Sequence, residues 1–275
     1  MLTTVLGASW LVLDLPFPCE IHCREIYKTE DNDKYKVLFM HTEPLDFCIN
    51  HDLLSESHKY FDLIISCHPQ HLNFSNSVFD VYGGIWVKSL PQLKSFSVSF
   101  LYSLGLIGIQ VNGYAERTGV MENADKINIP KRFYRSRRVP PGVADHLPHL
   151  EGDRKDQLFE SMFHVCIENT RHENYFTEKL CDCFATYTIP IYYGCPNISK
   201  YFNMDGIIVA DSHAHAVEII NNLSPADYWR RMDAMRDNFR RSQRYWDWVG
   251  RLRSLILREH TKANRLLTDD ESQSL

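Results

Sequence analysis

Ser161-Met-Phe-His-Val-Cys-Ile-Glu-Asn-Thr-Arg-His-Glu-Asn-Tyr-Phe-Thr-Glu-Lys-Leu-Cys-Asp-Cys-Phe-Ala-Thr-Tyr-Thr-Ile-Pro-Ile-Tyr-Tyr-Gly194 reads as a strand, a polar loop, a helix and a second strand. The apolar run Met162 to Ile167 stops at Glu168, Asn169, Thr170, Arg171 and His172, as a buried parallel strand does on reaching the mouth of a site. A helix is expected next. The side chain of Asn174 or Thr177 can accept a hydrogen bond from an open backbone N–H of its first turn, and Leu180, Phe184 and Tyr187 recur three or four apart on one face. Pro190 prevents the helix from continuing. Ile189 to Tyr193 is a second apolar strand closed by Gly194, which makes the unit a right-handed crossover between parallel strands.

Asn169, Tyr175, Glu178 and Lys179 all fall between the end of the first strand and the first turn of the helix. Open N–H groups and the positive end of the helix dipole favour a phosphate there, and Lys179 adds a full charge. A carboxylate would be repelled by a diphosphate, so Glu178 fits sugar hydroxyls, which donate to it. Taken alone, Thr-Glu-Lys reads more readily as a pair of well-placed charges at a helix start.

The combination is more specific than its parts. Glu168-Asn-Thr, Tyr175-Phe-Thr-Glu-Lys-Leu and Ile189-Pro-Ile-Tyr-Tyr-Gly together resemble the donor-binding block of the α-1,3-fucosyltransferases, glycosyltransferase family ten. The close match runs from Phe163 to Ile208 and includes Asn203-Met-Asp-Gly-Ile-Ile; outside it the likeness is looser. The resemblance implies an α/β, GT-B-like fold: two Rossmann-like halves facing a central cleft, the N-terminal half reduced. It further implies GDP-fucose as donor, a glycan acceptor, inversion at the anomeric carbon, and neither a cofactor nor an obligatory metal. Donor binding then falls to Arg117 in Gly113-Tyr-Ala-Glu-Arg, together with Asn169, Tyr175, Glu178 and Lys179. The catalytic base falls to Glu43, in His41-Thr-Glu-Pro at the end of the strand Val37 to Met40. Two alternatives stand beside this reading: a catalytically silent GDP-sugar-binding protein, and a transferase for another GDP-sugar.

Composition narrows the remaining choices. At 275 residues the chain can bury two small cores. The linker is expected at Lys88 to Lys94, dividing an acceptor-side domain at 1–90 from a donor domain at 91–275 that carries a C-terminal amphipathic helix. A net charge of −5 gives no reason to expect nucleic acid. The apolar tract Val5 to Leu13 is too short to span a bilayer and lacks the flanks of a signal peptide, so a cytoplasmic location is expected. The eight cysteines have no zinc or thioredoxin spacing and read as reduced thiols.

Elsewhere the pattern is plainer at some points than at others. Phe61 to Ser66 is a strand after a helix near Asp52 to His58, and Ser77 to Tyr82 with Gly83-Gly-Ile-Trp-Val is another; residues 1–35 show no readable pattern. Phe96 to Leu101 opens the second half. The basic run Pro130 to Arg138 reads as a solvated loop. Ile207 to Ala210 is a strand and Ala214 to Asn221 a helix. From Ser224 a long helix is expected, with Trp229, Met232, Phe239, Trp246, Val249, Leu252 and Ile256 as one apolar stripe. Its arginines raise peripheral contact with an anionic membrane, but the interleaved Asp227, Asp233, Asp237 and Asp247 favour packing across the two halves instead.

Overall fold

The computed structural model describes residues 2–29, 33–40, 51–87, 93–105, 111–150 and 154–273, with side chains to residue 265. Its contacts separate two units, Met1–Tyr82 with Asp247–Leu275, and Gly83–Trp246.

The first unit is built on five parallel strands, β1 (Thr3–Leu6), β2 (Cys19–Cys23), β3 (Tyr35–Phe39), β4 (Leu63–Ser66) and β5 (Ser77–Phe79), laid side by side in chain order. Two of them come from the first 35 residues, where the sequence offered no pattern. A parallel sheet needs cover on both faces. One face presents Leu38, Met40 and Ile64 to Leu54 of helix α1 (His51–Ser57) and to Phe61. The other presents Ile21, Cys23, Val37, Phe39, Leu63 and Ile65, and it is closed by Leu11, Leu13 and Leu15 together with Leu252, Leu255 and Ile256 of the C-terminal helix α7 (Trp248–Gln273).

The contact-defined units differ from the expected 1–90 and 91–275. The C-terminal helix belongs to the first unit, because its residues at i, i+3 and i+4 supply cover that the β2–β4 face otherwise lacks; each buried side chain contributes about 1.5–3 kcal/mol. The break falls at Tyr82, because Gly83 and Gly84 adopt φ of 61° and 85° and end the extended run that was expected to reach Val87. A Cβ at Gly83 would meet the Tyr245 Cβ at 2.5 Å.

The second unit carries β6 (Ser95–Tyr102), α2 (Asn112–Glu122), β7 (Lys131–Arg135), β8 (Ser161–Ile167), α3 (Glu178–Ala185), β9 (Ile189–Tyr193), β10 (Ile208–Val209), α4 (His213–Asn221), α5 (Pro225–Trp229) and α6 (Met232–Trp246). Its sheet is parallel throughout, in the order β10-β9-β8-β6-β7. The β8–α3–β9 crossover is the expected one, in register from Phe163 with Ile189 to Ile167 with Tyr193. The helix is shorter than its apolar spacing suggested, for Tyr187 lies beyond it at φ 53°. From β6 the chain turns one way to β7, and then crosses back to lay down β8, β9 and β10 on the other side. In open α/β sheets, ligands bind outside the carboxyl ends of strands at such a reversal, here β6 and β8.

The long helix expected from Ser224 is three helices. Asp227 accepts from the Ser224 N–H at 2.8 Å and the Ser224 hydroxyl at 2.6 Å at the start of α5. Asp247 accepts the Gly250 N–H at 2.8 Å and so starts α7 afresh after α6. One continuous count of the stripe therefore fails: Trp229 is 64% exposed, while Ala234, Met235, Asn238, Ser242 and Tyr245 are the residues of α6 that are buried. Among the described residues, no helix is long and apolar enough to cross a membrane.

Candidate functional site

The site is assembled where β8 runs into the start of α3. Glu168, the first residue past β8, has no exposed surface. Its Oε1 accepts the Thr177 N–H at 2.8 Å and its Oε2 accepts the Thr177 hydroxyl at 2.8 Å. Thr177 is the N-cap of α3, and its Oγ1 in turn accepts from the Lys179 N–H at 3.3 Å and the Lys179 ammonium at 3.2 Å. That ammonium lies 3.7 Å from Glu168 and 3.5 Å from Glu178. Burial pushes the Glu168 carboxyl up, while Lys179 pulls it back toward the charged form. The cation is thereby fixed at the open end of a helix by groups that are themselves fixed, the arrangement an anion site requires.

Arg117 supports the other side of the reversal. It sits on α2, the helix after β6, and is 4% exposed. Its guanidinium donates to the Ile167 carbonyl at 2.6 Å, to the Ser103 carbonyl at 3.4 Å and to Asn169 Oδ1 at 2.9 Å, with the Tyr114 ring 5.0 Å away. Arg117 therefore stands behind Asn169 and sets its amide. The backbones also meet here, since the Gly113 N–H donates to the Asn169 carbonyl at 3.0 Å. A Cβ on Gly113 would lie 1.9 Å from the Glu168 carbonyl oxygen, so only glycine allows α2 to approach β8 this closely.

Glu178 is buried and doubly paired. Its Oε1 is 3.1 Å from the Lys155 ammonium as well as 3.5 Å from that of Lys179. Burial alone would raise its carboxyl, but Lys179 and Lys155 outweigh burial and bring it down to about 2. Lys155 also reaches Asp182 at 3.7 Å. Burial raises Asp182 to about 6 against the pull of Lys155.

The sequence-derived residues thus gather in one place, with adjustments. Asn169, Glu178, Lys179 and Arg117 are linked through Glu168, Thr177 and Ile167. Tyr175 lies between them in the chain and is 1% exposed. Asn174 is not the cap. It adopts φ 63° and closes a separate network, accepting from Tyr201 at 2.6 Å and Asn197 at 2.9 Å. Glu43 lies outside the described residues. Sequence reasoning assigned no role of their own to Glu168, Gly113 and Lys155. Glu168 carried a signal, as a carboxylate at the end of an apolar strand nine residues before a capping threonine; Lys155 carried none, being 23 residues from its partner Glu178. Among the described residues, no group of three or more His, Cys, Asp or Glu is placed to hold a metal ion.

Two parallel α/β sheets, with a polar site beyond the carboxyl ends of the strands in the second, define the GT-B glycosyltransferase fold. Similar solved structures include an α1,3-fucosyltransferase with GDP-fucose, at TM-score 0.50 and 17% identity over 78% of this chain and 68% of that one. Another is an α1,3-fucosyltransferase with GDP, at TM-score 0.50 and 16% identity over 83% of this chain and 77% of that one. Residues 142–269 match the model of glycosyltransferase family 10 (fucosyltransferase), C-terminal part. A curated relative, the alpha-(1,3)-fucosyltransferase FucT of Helicobacter pylori, is 41% identical over 61 residues, which are 22% of this chain and 13% of the relative.

Proposed function

We propose that the chain transfers fucose from GDP-fucose to a hydroxyl of a glycan acceptor, with inversion at the anomeric carbon. The observation that carries this reading is Lys179, held at the start of α3 by Glu168 and Thr177 inside the segment that matches the fucosyltransferase family. As the bond from the sugar to the diphosphate breaks, negative charge grows on the leaving GDP; Lys179 and the first N–H groups of α3 take it up without any reorganisation at the moment of reaction. Arg117 keeps Asn169 turned toward the same donor, and Glu178 accepts ribose hydroxyls. Glu43 takes the proton of the acceptor hydroxyl as that oxygen attacks the anomeric carbon. The fixed cations make a metal dispensable in this scheme, and the chain works as a donor domain joined to an acceptor-side domain.

Calorimetry with GDP, GDP-fucose and UDP, followed by incubation with labelled GDP-fucose and an array of glycans, tests the reading. GDP is expected to bind at least about tenfold more tightly than UDP, a difference of one well-made polar contact. Transfer is expected to survive a chelator, and Glu43→Gln is expected to slow it by about 10²- to 10⁴-fold with GDP affinity kept. Equal binding of the two nucleotides overturns the donor. GDP-fucose binding without transfer to any acceptor leaves a silent donor-binding protein in its place.

A further inference from the structure

We propose that Lys155 is a positioning residue of the donor site: it holds the Glu178 carboxylate in the pose that accepts ribose hydroxyls, and so sets the preference for a ribonucleotide. The inference rests on the donor reading above.

Lys155 opens the short 3-10 helix Lys155–Glu160 that leads directly into β8. Its ammonium is held on three sides, by Glu178 Oε1 at 3.1 Å, by Asp182 Oδ2 at 3.7 Å and by the face of the Trp86 ring at 4.2 Å. Two of these partners are themselves tied together, because Asp182 Oδ1 accepts the N–H groups of Trp86 at 2.7 Å and Val87 at 3.1 Å. One cation therefore connects the strand that delivers Glu168 and Asn169 to the helix that delivers Glu178 and Lys179. A surface lysine has no such set of partners, and the Lys155 side chain is only 17% exposed.

The arrangement divides labour between two cations. Glu178 lies within reach of both ammoniums, at 3.1 Å and 3.5 Å. Without Lys155, its charge would be met by Lys179 alone, which would be drawn down onto the carboxylate and away from an incoming diphosphate. With Lys155 in place Glu178 stays ionised as a pure acceptor, and a carboxylate has about four lone-pair positions, enough for the ammonium and for hydroxyl donors together. The depressed carboxyl of Glu178 agrees with this geometry.

The test compares the affinity of the full chain for GDP and for 2′,3′-dideoxy-GDP by calorimetry, in the wild type, Lys155→Met, Lys155→Arg and Trp86→Leu. In the wild type the hydroxyls are expected to be worth about tenfold or more, the weight of hydrogen bonds to a charged acceptor. Lys155→Met is expected to cut that ratio to within about twofold, with dideoxy-GDP itself bound somewhat more weakly as Lys179 is drawn from the diphosphate, and Lys155→Arg to restore most of the ratio. Trp86→Leu alters an exposed residue and should lower the ratio part way, which keeps the inference open to refutation if Lys155→Met does not fold. A wild-type ratio that survives intact in a folded Lys155→Met, or in Trp86→Leu when Lys155→Met is unfolded, overturns the role of Lys155. A wild type that binds GDP and dideoxy-GDP alike overturns the ribose role of Glu178 itself, and one that binds neither overturns the donor reading.

Discussion

Glu168 is the residue on which the site's geometry turns, since both of its oxygens are spent on Thr177 and its charge faces Lys179. Glu168→Gln keeps the volume but turns one acceptor into a donor against the donors of Thr177. A buried unsatisfied donor costs about 1–3 kcal/mol, so urea unfolding should show a loss of that order together with weaker GDP binding. Lys179→Ala should separate the two effects. Its side chain is 27% exposed and Lys155 still faces Glu178, so the stability loss is expected to be smaller than in Glu168→Gln, while GDP affinity falls by about 1.5–3 kcal/mol, the weight of a charged hydrogen bond. Equal stability loss in both variants would mean that Lys179 is part of the scaffold only.

At the scale of the element, α3 is fastened at both ends of its first two turns, by the Glu168–Thr177 cap and by Asp182. Burial raises the Asp182 carboxyl from 3.8 to about 6, against the lowering effect of Lys155 and of the Trp86 and Val87 N–H groups. The folded protein holds this proton more tightly than the unfolded chain does. The contribution to stability is therefore complete below about pH 3.8 and is lost as pH rises through about 6. Between about pH 5 and about pH 7.5 the loss is roughly 1 kcal/mol. Asp182→Asn should remove this part of the pH dependence, which urea unfolding at the two pH values will show. A wild type and variant with parallel pH profiles would place the titration elsewhere. Glu178 acts in the opposite sense: with its carboxyl near 2, its ion pairs persist through this whole range and fail only in strong acid.

Over the whole molecule, the C-terminal helix decides how the chain is divided. Ile256 has no exposed surface and closes the β2–β4 face of the first unit. Ile256→Ala should cost about 2–5 kcal/mol in urea unfolding, the transfer and cavity terms together. Trp229 belongs to the same stripe by sequence count yet is 64% exposed, and Trp229→Ala is expected to stay within about 0.5 kcal/mol. The reverse ranking would favour the single apolar stripe through Trp229 that the sequence suggested.

What could be read from the sequence alone was local. The β8–α3–β9 crossover follows from two short apolar runs, a capping threonine and a proline, all within 34 residues whose contacts are near in the chain. The same nearness made Asn169, Glu178 and Lys179 legible as a group, since a strand end and a helix start must meet there. The tertiary structure decided the rest. Lys155 joined Glu178, Arg117 went behind Asn169 across 52 residues, and Gly113 let two backbones touch, none of which leaves a period in the sequence. The first two strands stayed unread because their burial depends on partners, Leu252 to Ile256, more than 200 positions away. Periodicity shows which side of an element wants cover; only the folded chain shows what covers it.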